Sequence, residues 1–407
     1  MGGTLFGQHE VIYVEALLVV AGETSGDMYA ARVVRHIKNE IQQLRIIGMG
    51  GKELSRIGQH QHVTIDEDSF GLAGSISGVP SHLKNLRRLT KAVEKNDVSA
   101  ALLVDYSGFN MMLARSLYRR GVPAVHFIPP SIWSWGRWRA KWLARYDVTA
   151  AAIFPREYNM YLQAGVEAEH VGHPLGDEIE KPMDHRRCRR ELEGIISNKG
   201  GNPPADGEKI LALLPGSRPR EISSHISPML AAARRLQEEQ YLRPIVAVKA
   251  KDTSLVRKSL GNALAEKVEV VGGHTRRVLG GADLGIISSG TATLEAALIG
   301  CPQVAIYRAD FLTGLAARLL LRSDYISLPN IILDEEIVSE LVQKQVKDDI
   351  IYDEACKLLQ EEEDIIRQQH GYRQIRKKLG EPGAAERTAE LVIKKGRMAG
   401  GFSHSMG

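Results

Sequence analysis

Cysteine is scarce: three in 407 residues, at Cys188, Cys301 and Cys356, widely spaced and odd in number. That excludes a disulfide framework or a local zinc cluster and suits a reducing compartment. No apolar stretch nears the roughly 20 residues a membrane-crossing helix needs; the longest, at Ala16 to Ala21 and around Ile286, are strand-sized. Met1 to Glu10 lacks the basic and apolar sections of a secretory signal, and Gly2 is not followed by Ser or Thr at position 6, so the expected location is cytoplasmic. There is no Walker pattern and no G-x-G-x-x-G turn, which counts against P-loop hydrolysis and dinucleotide oxidoreduction. With 39 Gly, 16 Pro and 43% hydrophobic residues, collagen-like, low-complexity and disordered chains are excluded.

What is present is ordinary globular composition in a length that suits two or three domains. Short apolar runs, small-residue turns and helical periods alternate. Strands are expected at Ala16 to Ala21, Ala100 to Asp105, Ala124 to Ile128 and Thr149 to Phe154, with a helix over Met28 to Glu40. A charged helical stretch, Asp184 to Ile196, precedes the Gly/Pro-rich tract 197–207, which reads as a linker. A second series places strands near Ile210 to Leu214, Ile245 to Lys249, Val268 to Val271, Leu284 to Ser288 and Gln303 to Ile306. The expected fold is α/β: two doubly wound parallel-sheet domains, 1–196 and 208–380, followed by a helix and tail over 381–407. Ligands of such sheets sit beyond the strands' carboxyl ends, so two facing domains would make a cleft.

Net charge is only +4, but the segment Ser81 to Tyr146 carries twelve Lys or Arg against three acids. A basic field of this kind attracts phosphorylated ligands, nucleic acid or an anionic membrane, and charge alone does not choose among them. The four tryptophans, Trp133, Trp135, Trp138 and Trp142, lie within it, the last three at helical spacing. Core packing, a membrane-interface patch and nucleic-acid stacking all fit that stripe. Leu83, Leu86, Leu89 and Val93 form another apolar stripe, flanked by Lys84, Arg87, Arg88 and Lys91, which reads either as an ordinary amphipathic helix or as a lipid-resting face.

Several turns at strand ends can carry chemistry. Leu213 to Ile222 (LLPGSRPREI) offers a Gly turn, Ser217 and Arg218, whose planar fork matches diphosphate oxygens; an exposed turn with solvated arginines is the alternative. In Ile286 to Glu295, Ser289, Gly290 and Thr291 open a helix whose free amides favour an anion, and Glu295 one turn on can accept ribose hydroxyls; a simple helix cap is the competing reading. Ala21 to Asp27 (AGETSGD) places Glu23, Thr24, Ser25 and Asp27 after the first strand, as a hydroxyl-rich ligand requires or as a helix cap by Ser25 or Asp27. Asp105 ends the apolar run Ala-Ala-Leu-Leu-Val, where desolvation raises a carboxyl pKa and suits a general base; a helix-capping Asp is the alternative.

Taken together, Ala21 to Asp27, Asp105 with Phe109-Asn110, Pro130 to Trp135, Phe154 to Glu157, Gly172 to Leu175, Leu214 to Arg218, Ser289 to Thr291 with Glu295, Tyr307-Arg308 and Tyr325 to Asn330 resemble, in order and spacing, the motifs of the lipid-A-disaccharide synthases. The resemblance runs from about Leu17 to Val342. It implies a GT-B, inverting, metal-independent glycosyltransferase without cofactor. Such an enzyme joins UDP-2,3-diacylglucosamine to 2,3-diacylglucosamine 1-phosphate (lipid X), releasing UDP and a β-1,6-linked disaccharide. It implies Asp105 as the residue whose loss abolishes activity, with Glu23 the other candidate base. Ser217, Arg218, Ser289, Gly290, Thr291 and Glu295 are then expected at the nucleotide, and Ser25, Asp27, Asn110, Ser131, Tyr307 and Asn330 at the sugars. Leu72, Trp138, Trp142 and Arg318, with the stripe Phe311 to Leu321, are expected against the inner leaflet of the cytoplasmic membrane, on a peripheral homodimer that binds no nucleic acid. The chain departs from the family at Gly108, where many members have Asp, and at Pro129 and Gly136. Two rivals are a related GT-B enzyme, such as a UDP-sugar epimerase or a peptidoglycan N-acetylglucosamine transferase, and a non-enzymatic GT-B scaffold.

Overall fold

The computed structural model describes residues 15–64, 79–132, 138–265, 268–308, 325–400 and 402. These form two compact units: residues up to 171 together with those from 383 onward, and residues 172–382.

The first unit is built on seven parallel strands: β1 (Ala16–Ala21), β2 (Arg45–Gly50), β3 (Gln59–Thr64), β4 (Val98–Val104), β5 (Ala124–Phe127), β6 (Val148–Ala152) and β7 (Ala168–His170). Their order is β3-β2-β1-β4-β5-β6-β7. The central strands are runs of Ala, Leu and Val because both faces of the sheet are covered, and every residue of β1 is buried. One face carries α1 (Thr24–Glu40), while α3 (Val79–Lys95), α4 (Ser107–Tyr118) and α5 (Trp138–Arg145) cover the other. Short α2 (Lys52–Arg56) follows β2, and α6 (Pro155–Gln163) follows β6. The C-terminal helix Ala384–Met398 packs against α1 and buries Leu391, Val392 and Ile393 in the α1-side core, and Phe402 closes over Gly396.

The second unit has six parallel strands, β8 (Lys209–Leu214), β9 (Leu242–Val248), β10 (Glu269–Gly272), β11 (Leu284–Ser288), β12 (Gln303–Tyr307) and β13 (Ser339–Val342), ordered β10-β9-β8-β11-β12-β13. Its helices include α7 (Pro174–Glu178), α8 (His185–Ser197), α9 (Pro219–Gln240), α10 (Thr253–Ala265), α11 (Thr275–Gly281) and α12 (Thr291–Ile299). Two doubly wound parallel sheets are the expected fold class.

The boundary between the units falls at 171/172 and not in the expected linker 197–207. Residues from Gly172 onward belong to the second unit because α8 seats on α11, where Gly280 and Gly281 let it approach; a Cβ on Gly280 would lie 2.6 Å from the Cys188 sulfur. The Gly/Pro tract is tied down as well. Arg189 donates to the carbonyls of Ala205 and Glu208, and Arg243 to that of Asn202.

Leu391, Val392, Ile393 and Phe402 contribute about 1.5–3 kcal/mol each by burial, a sum comparable with the 5–15 kcal/mol that holds a whole domain together. Ending the chain at Pro382 is therefore expected to unfold the first unit while the second persists. Hydrogen exchange would show protection lost across β1, β4 and β5 and kept across β8 and β11; unchanged protection in β1 would contradict this.

Candidate active site

In each sheet the chain reverses its direction of winding between two neighbouring strands, β1/β4 in the first unit and β8/β11 in the second. Loops leaving the carboxyl ends of such a pair diverge and leave room for a ligand. Most of the polar residues singled out from the sequence fall at these two points; Ser131, Tyr307 and Asn330 follow or end other strands.

In the first unit Ala21 pairs with Val104, so the Gly22-Glu23 turn lies beside Asp105-Tyr106. The Tyr106 ring covers Gly22, where a Cβ would fall 2.1 Å from its Cγ, so only glycine fits there. Tyr106 also stacks on Phe109 and hydrogen-bonds its hydroxyl to His82 Nε2 at 2.5 Å. Asp105 and Tyr106 adopt the left-handed backbone conformation, with φ of 50° and 47°, as does the β-branched Ile128 at 55°. Such residues cost about 1–3 kcal/mol each and persist only where their surroundings over-determine them. Burial, followed by the charge of Glu23, raises the Asp105 carboxyl to about 6, while the Tyr106 amide pulls it back. The phenol of Tyr106 is raised by the same two causes. The charge of Glu23 is thus felt at Asp105, where it disfavours a second negative charge.

The remaining candidates of this unit divide. Ser25 is exposed and Glu23 and Ser131 are partly so, which leaves them available to a ligand. Asp27 is buried, and its carboxylate accepts from the amides of Gly51, Glu53 and Leu54 at 2.7, 2.8 and 3.3 Å. It caps α2 from a distance, which replaces both the expected sugar contact and the expected cap of its own helix. Asn110 is fully buried and donates to the Asp105 carbonyl at 2.7 Å, so it faces the backbone and not a substrate. A residue the sequence reading passed over, His126, is buried in β5 and meets the same carbonyl through Nε2 at 2.9 Å. A carbonyl only accepts, so Nε2 carries the proton, and burial lowers the imidazole to about 4 and keeps it neutral. Its one sequence signal is a histidine inside an apolar strand.

In the second unit Gly216 has φ of 124° and turns the chain from β8 into α9. Glu221 reaches back to accept from the amides of Ser217 and Arg218 at 3.0 and 3.3 Å, and from the Arg218 guanidinium. The amides of this turn thus already hold a carboxylate, whereas the Arg218 side chain stays largely exposed. His225, also passed over, ties this turn to β12: Nδ1 donates to the Pro215 carbonyl at 2.8 Å and Nε2 accepts from the Arg308 amide at 2.9 Å. Tyr307 lies close enough to Glu221 and Arg218 to feel both charges, and burial with Glu221 raises its phenol. At β11, Gly290 takes φ of 147°, open to glycine, and Thr291 starts α12. Ser289 donates its hydroxyl to the Ile326 carbonyl.

Two expected contacts belong to the fold instead. Asn330 is fully buried; its amide donates to the Val338 carbonyl and to Glu340, and its oxygen accepts from the amides of Ile337 and Val338. That uses its whole capacity. Glu340 also gathers Ile326 and Ser327, so the Tyr325 to Asn330 motif is a clasp on β13. Glu295 receives Arg276 at 2.6 Å, and the same guanidinium forks to Glu178, leaving Glu295 half-committed within the unit.

Of the expected membrane contacts, Leu72, Arg318 and the stripe Phe311 to Leu321 lie outside the described residues, as do Trp133 and Trp135. Trp138 is 57% exposed with Arg139 beside its ring. Trp142 instead packs against Tyr146 and donates its indole N–H to the Met111 carbonyl. Leu89 and Val93 are buried in the core under α3 and Leu86 packs against it, so that part of the stripe faces inward, but Leu83 is 46% exposed, as are Lys84, Arg87, Arg88 and Lys91 around it. Among the described residues no helix is long and apolar enough to cross a membrane.

The Asp105 carboxyl titrates near 6 when folded and near 3.8 otherwise, so the folded state holds the extra proton between about pH 4 and 6 and stability falls as pH rises through that window. Asp105→Asn is expected to raise stability at pH 7.5 by up to about 3 kcal/mol and to gain nothing at pH 4. Denaturant unfolding at both pH values checks this; an equal effect at both would mean that the carboxyl is not held high.

Comparison with known proteins gives the family and the fold. The family model described as lipid-A-disaccharide synthetase matches residues 17–394. The lipid-A-disaccharide synthase of Anaeromyxobacter dehalogenans is 34% identical over 384 residues, covering 93% of this chain and 97% of that protein. Among solved structures, MnaA of S. aureus with UDP superposes with a TM-score of 0.65 at 13% identity, covering 97% of this chain and 100% of that one. The glycotransferase of kitacinnamycin superposes at 0.60 and 13% identity, covering 94% and 98%. The fold is GT-B, and the chain belongs to the lipid-A-disaccharide synthase family of glycosyltransferases.

Proposed function

We propose that the protein is an inverting transferase joining UDP-2,3-diacylglucosamine to 2,3-diacylglucosamine 1-phosphate, with UDP and the β-1,6-linked disaccharide 1-phosphate as products. The observation that carries this reading is the Asp105 carboxyl, raised towards neutrality at the carboxyl end of β4 beside Glu23. A base poised near the working pH takes the proton of an attacking hydroxyl while remaining ionised often enough to act. Asp105 is the base of this reading, and Glu23 supplies the neighbouring charge that keeps its affinity for the proton high. The hydroxyl oxygen attacks the anomeric carbon from the face opposite UDP, the bond to the departing phosphate oxygen breaks, and the configuration inverts.

Charge then builds on the leaving diphosphate. Arg218, exposed at the start of α9, and the amides that open α12 after Gly290 provide a fork and a dipole for it. Glu221 limits the arrangement, because its carboxylate occupies the Ser217 and Arg218 amides. In this reading the guanidinium, not the turn's amides, meets the phosphate. The transfer runs without a metal ion. The acyl chains stay in the inner leaflet, and the exposed Trp138 with the basic face of α3 rests on the membrane surface; the family's homodimer belongs to the same proposal.

Two measurements test this. Release of UDP from the acylated donor and acceptor, without added Mg²⁺, should fall to background in Asp105→Asn and by roughly 10²–10³-fold in Arg218→Ala. Epimerisation of a UDP-sugar, or lipid binding without UDP release, would sink the transferase reading. Association with anionic vesicles should weaken steeply between about 0.1 and 1 M salt, as the Debye length falls from about 10 to about 3 Å. Arg87→Glu with Lys91→Glu should weaken it at low salt; insensitivity to both changes would remove the electrostatic docking.

A further inference from the structure

The carbonyl of Asp105 receives two buried side-chain donors, an uncommon density of hydrogen bonds on one peptide. Asn110 Nδ2 donates from the first turn of α4 at 2.7 Å, and His126 Nε2 donates from β5 at 2.9 Å. The amide of the same residue donates to the Phe127 carbonyl at 2.9 Å, so both ends of the Asp105 backbone are fixed from neighbouring elements. Both donors are fully buried. Neither reaches a surface that a ligand touches, and each has a second polar atom, Asn110 Oδ1 and His126 Nδ1, without a hydrogen-bond partner among the described residues. Burying two such groups for stability alone is a poor exchange, since an apolar side chain of similar size would leave nothing unpaired.

What the two bonds do achieve is local. They hold the Asp105 peptide where two successive non-glycine residues, Asp105 and Tyr106, sit in the left-handed region. That conformation turns the chain sharply out of β4, and it sets the direction of the carboxylate relative to Glu23. Without the donors, the peptide is free to flip to an ordinary extended or right-handed conformation, which rotates the carboxylate out of place.

We infer that His126 and Asn110 are positioning residues that clamp the Asp105 carbonyl and thereby aim its carboxylate at the acceptor hydroxyl. This deepens the reading of Asp105 as the base and rests on it. His126 acts here as a fixed donor in one tautomer and exchanges no proton during turnover. Its neutral form is the one its burial favours. The charged group acting on the clamped carboxylate is Glu23, and the Tyr106 amide donates to it; the Tyr106 phenol, which also feels Glu23, is bonded to His82.

The test compares His126→Phe, which fills the space without a donor, with His126→Gln, whose amide nitrogen replaces Nε2. UDP release is measured as kcat and KM from pH 4.5 to 8.5, and folded content by circular dichroism. The expected result for His126→Phe is a folded protein with kcat reduced about 10–100-fold, KM within about twofold of wild type, and an acid limb displaced from its wild-type midpoint. His126→Gln should restore kcat to within about threefold and return the midpoint. If His126→Phe does not fold, Asn110→Leu gives the same comparison from the other donor. The clamp is overturned if the donor-free variant keeps the wild-type kcat and midpoint. It is equally overturned if His126→Gln is as impaired as His126→Phe, or if the loss follows the folded fraction alone. An active Asp105→Asn would remove the base reading itself; an inactive Asp105→Asn beside an indifferent His126→Phe removes only the clamp.

Discussion

A carboxyl group at the dry end of a strand buried on both faces is the constraint on which the first unit's site depends. β4 is surrounded by β1, β5 and two helical layers, so its last residue leaves a region from which water is excluded. The peptide must turn at once, because the next residues start α4, and it does so through two consecutive left-handed residues. Desolvation and the nearby charge of Glu23 both disfavour its ionised form, and only the Tyr106 amide works the other way. A group of this kind opposes stability at neutral pH, which is the usual signature of a residue kept for chemistry.

The second unit handles its carboxylates in the opposite way. Glu221 satisfies the amides at the start of α9, Glu340 gathers the segment Ile326 to Asn330, and Glu178 with Glu295 holds the fork of Arg276. Each is anchored by donors, so each strengthens the fold and fixes a loop at a strand's carboxyl end. His225 adds a bridge between the β8 and β12 loops in a defined tautomer. Among the described residues at these loops, the Arg218 guanidinium, paired with Glu221 but largely exposed, and the start of α12 face solvent. The units thus differ: the first holds the Asp105 carboxyl above its ordinary range, and the second leaves a guanidinium and a helix start exposed.

Side-chain periodicity told less about surfaces than about cores. The stripe through Leu86, Leu89 and Val93 is the core face of α3, and Trp142 is held by a backbone carbonyl and an aromatic neighbour. Helical spacing shows that one face is apolar and not what covers it, because a sheet and a lipid surface ask for the same residues. The exposed basic side chains of α3 and the exposed Trp138 are therefore the more informative features of that segment, since neither is required by packing.

The sequence alone determined the alternation of buried strands and amphipathic helices, hence two parallel-sheet units, and it placed Glu23, Asp105, Arg218 and Ser289 to Thr291 at strand ends. These properties are local: apolar runs, glycine turns and period are written in neighbouring residues. Only the tertiary structure decided that Asp27 and Asn330 spend their polar atoms inside the fold, and that residues 172–207 belong with the second unit. The return of the last helix to the first unit, and the meeting of Asn110 and His126 on one carbonyl, were settled there too. Asp27 and His126 find partners more than twenty residues away and Asn110 and Asn330 partners beyond their own turn, and hydrogen-bond capacity is assigned only when the fold brings donor and acceptor within about 3 Å.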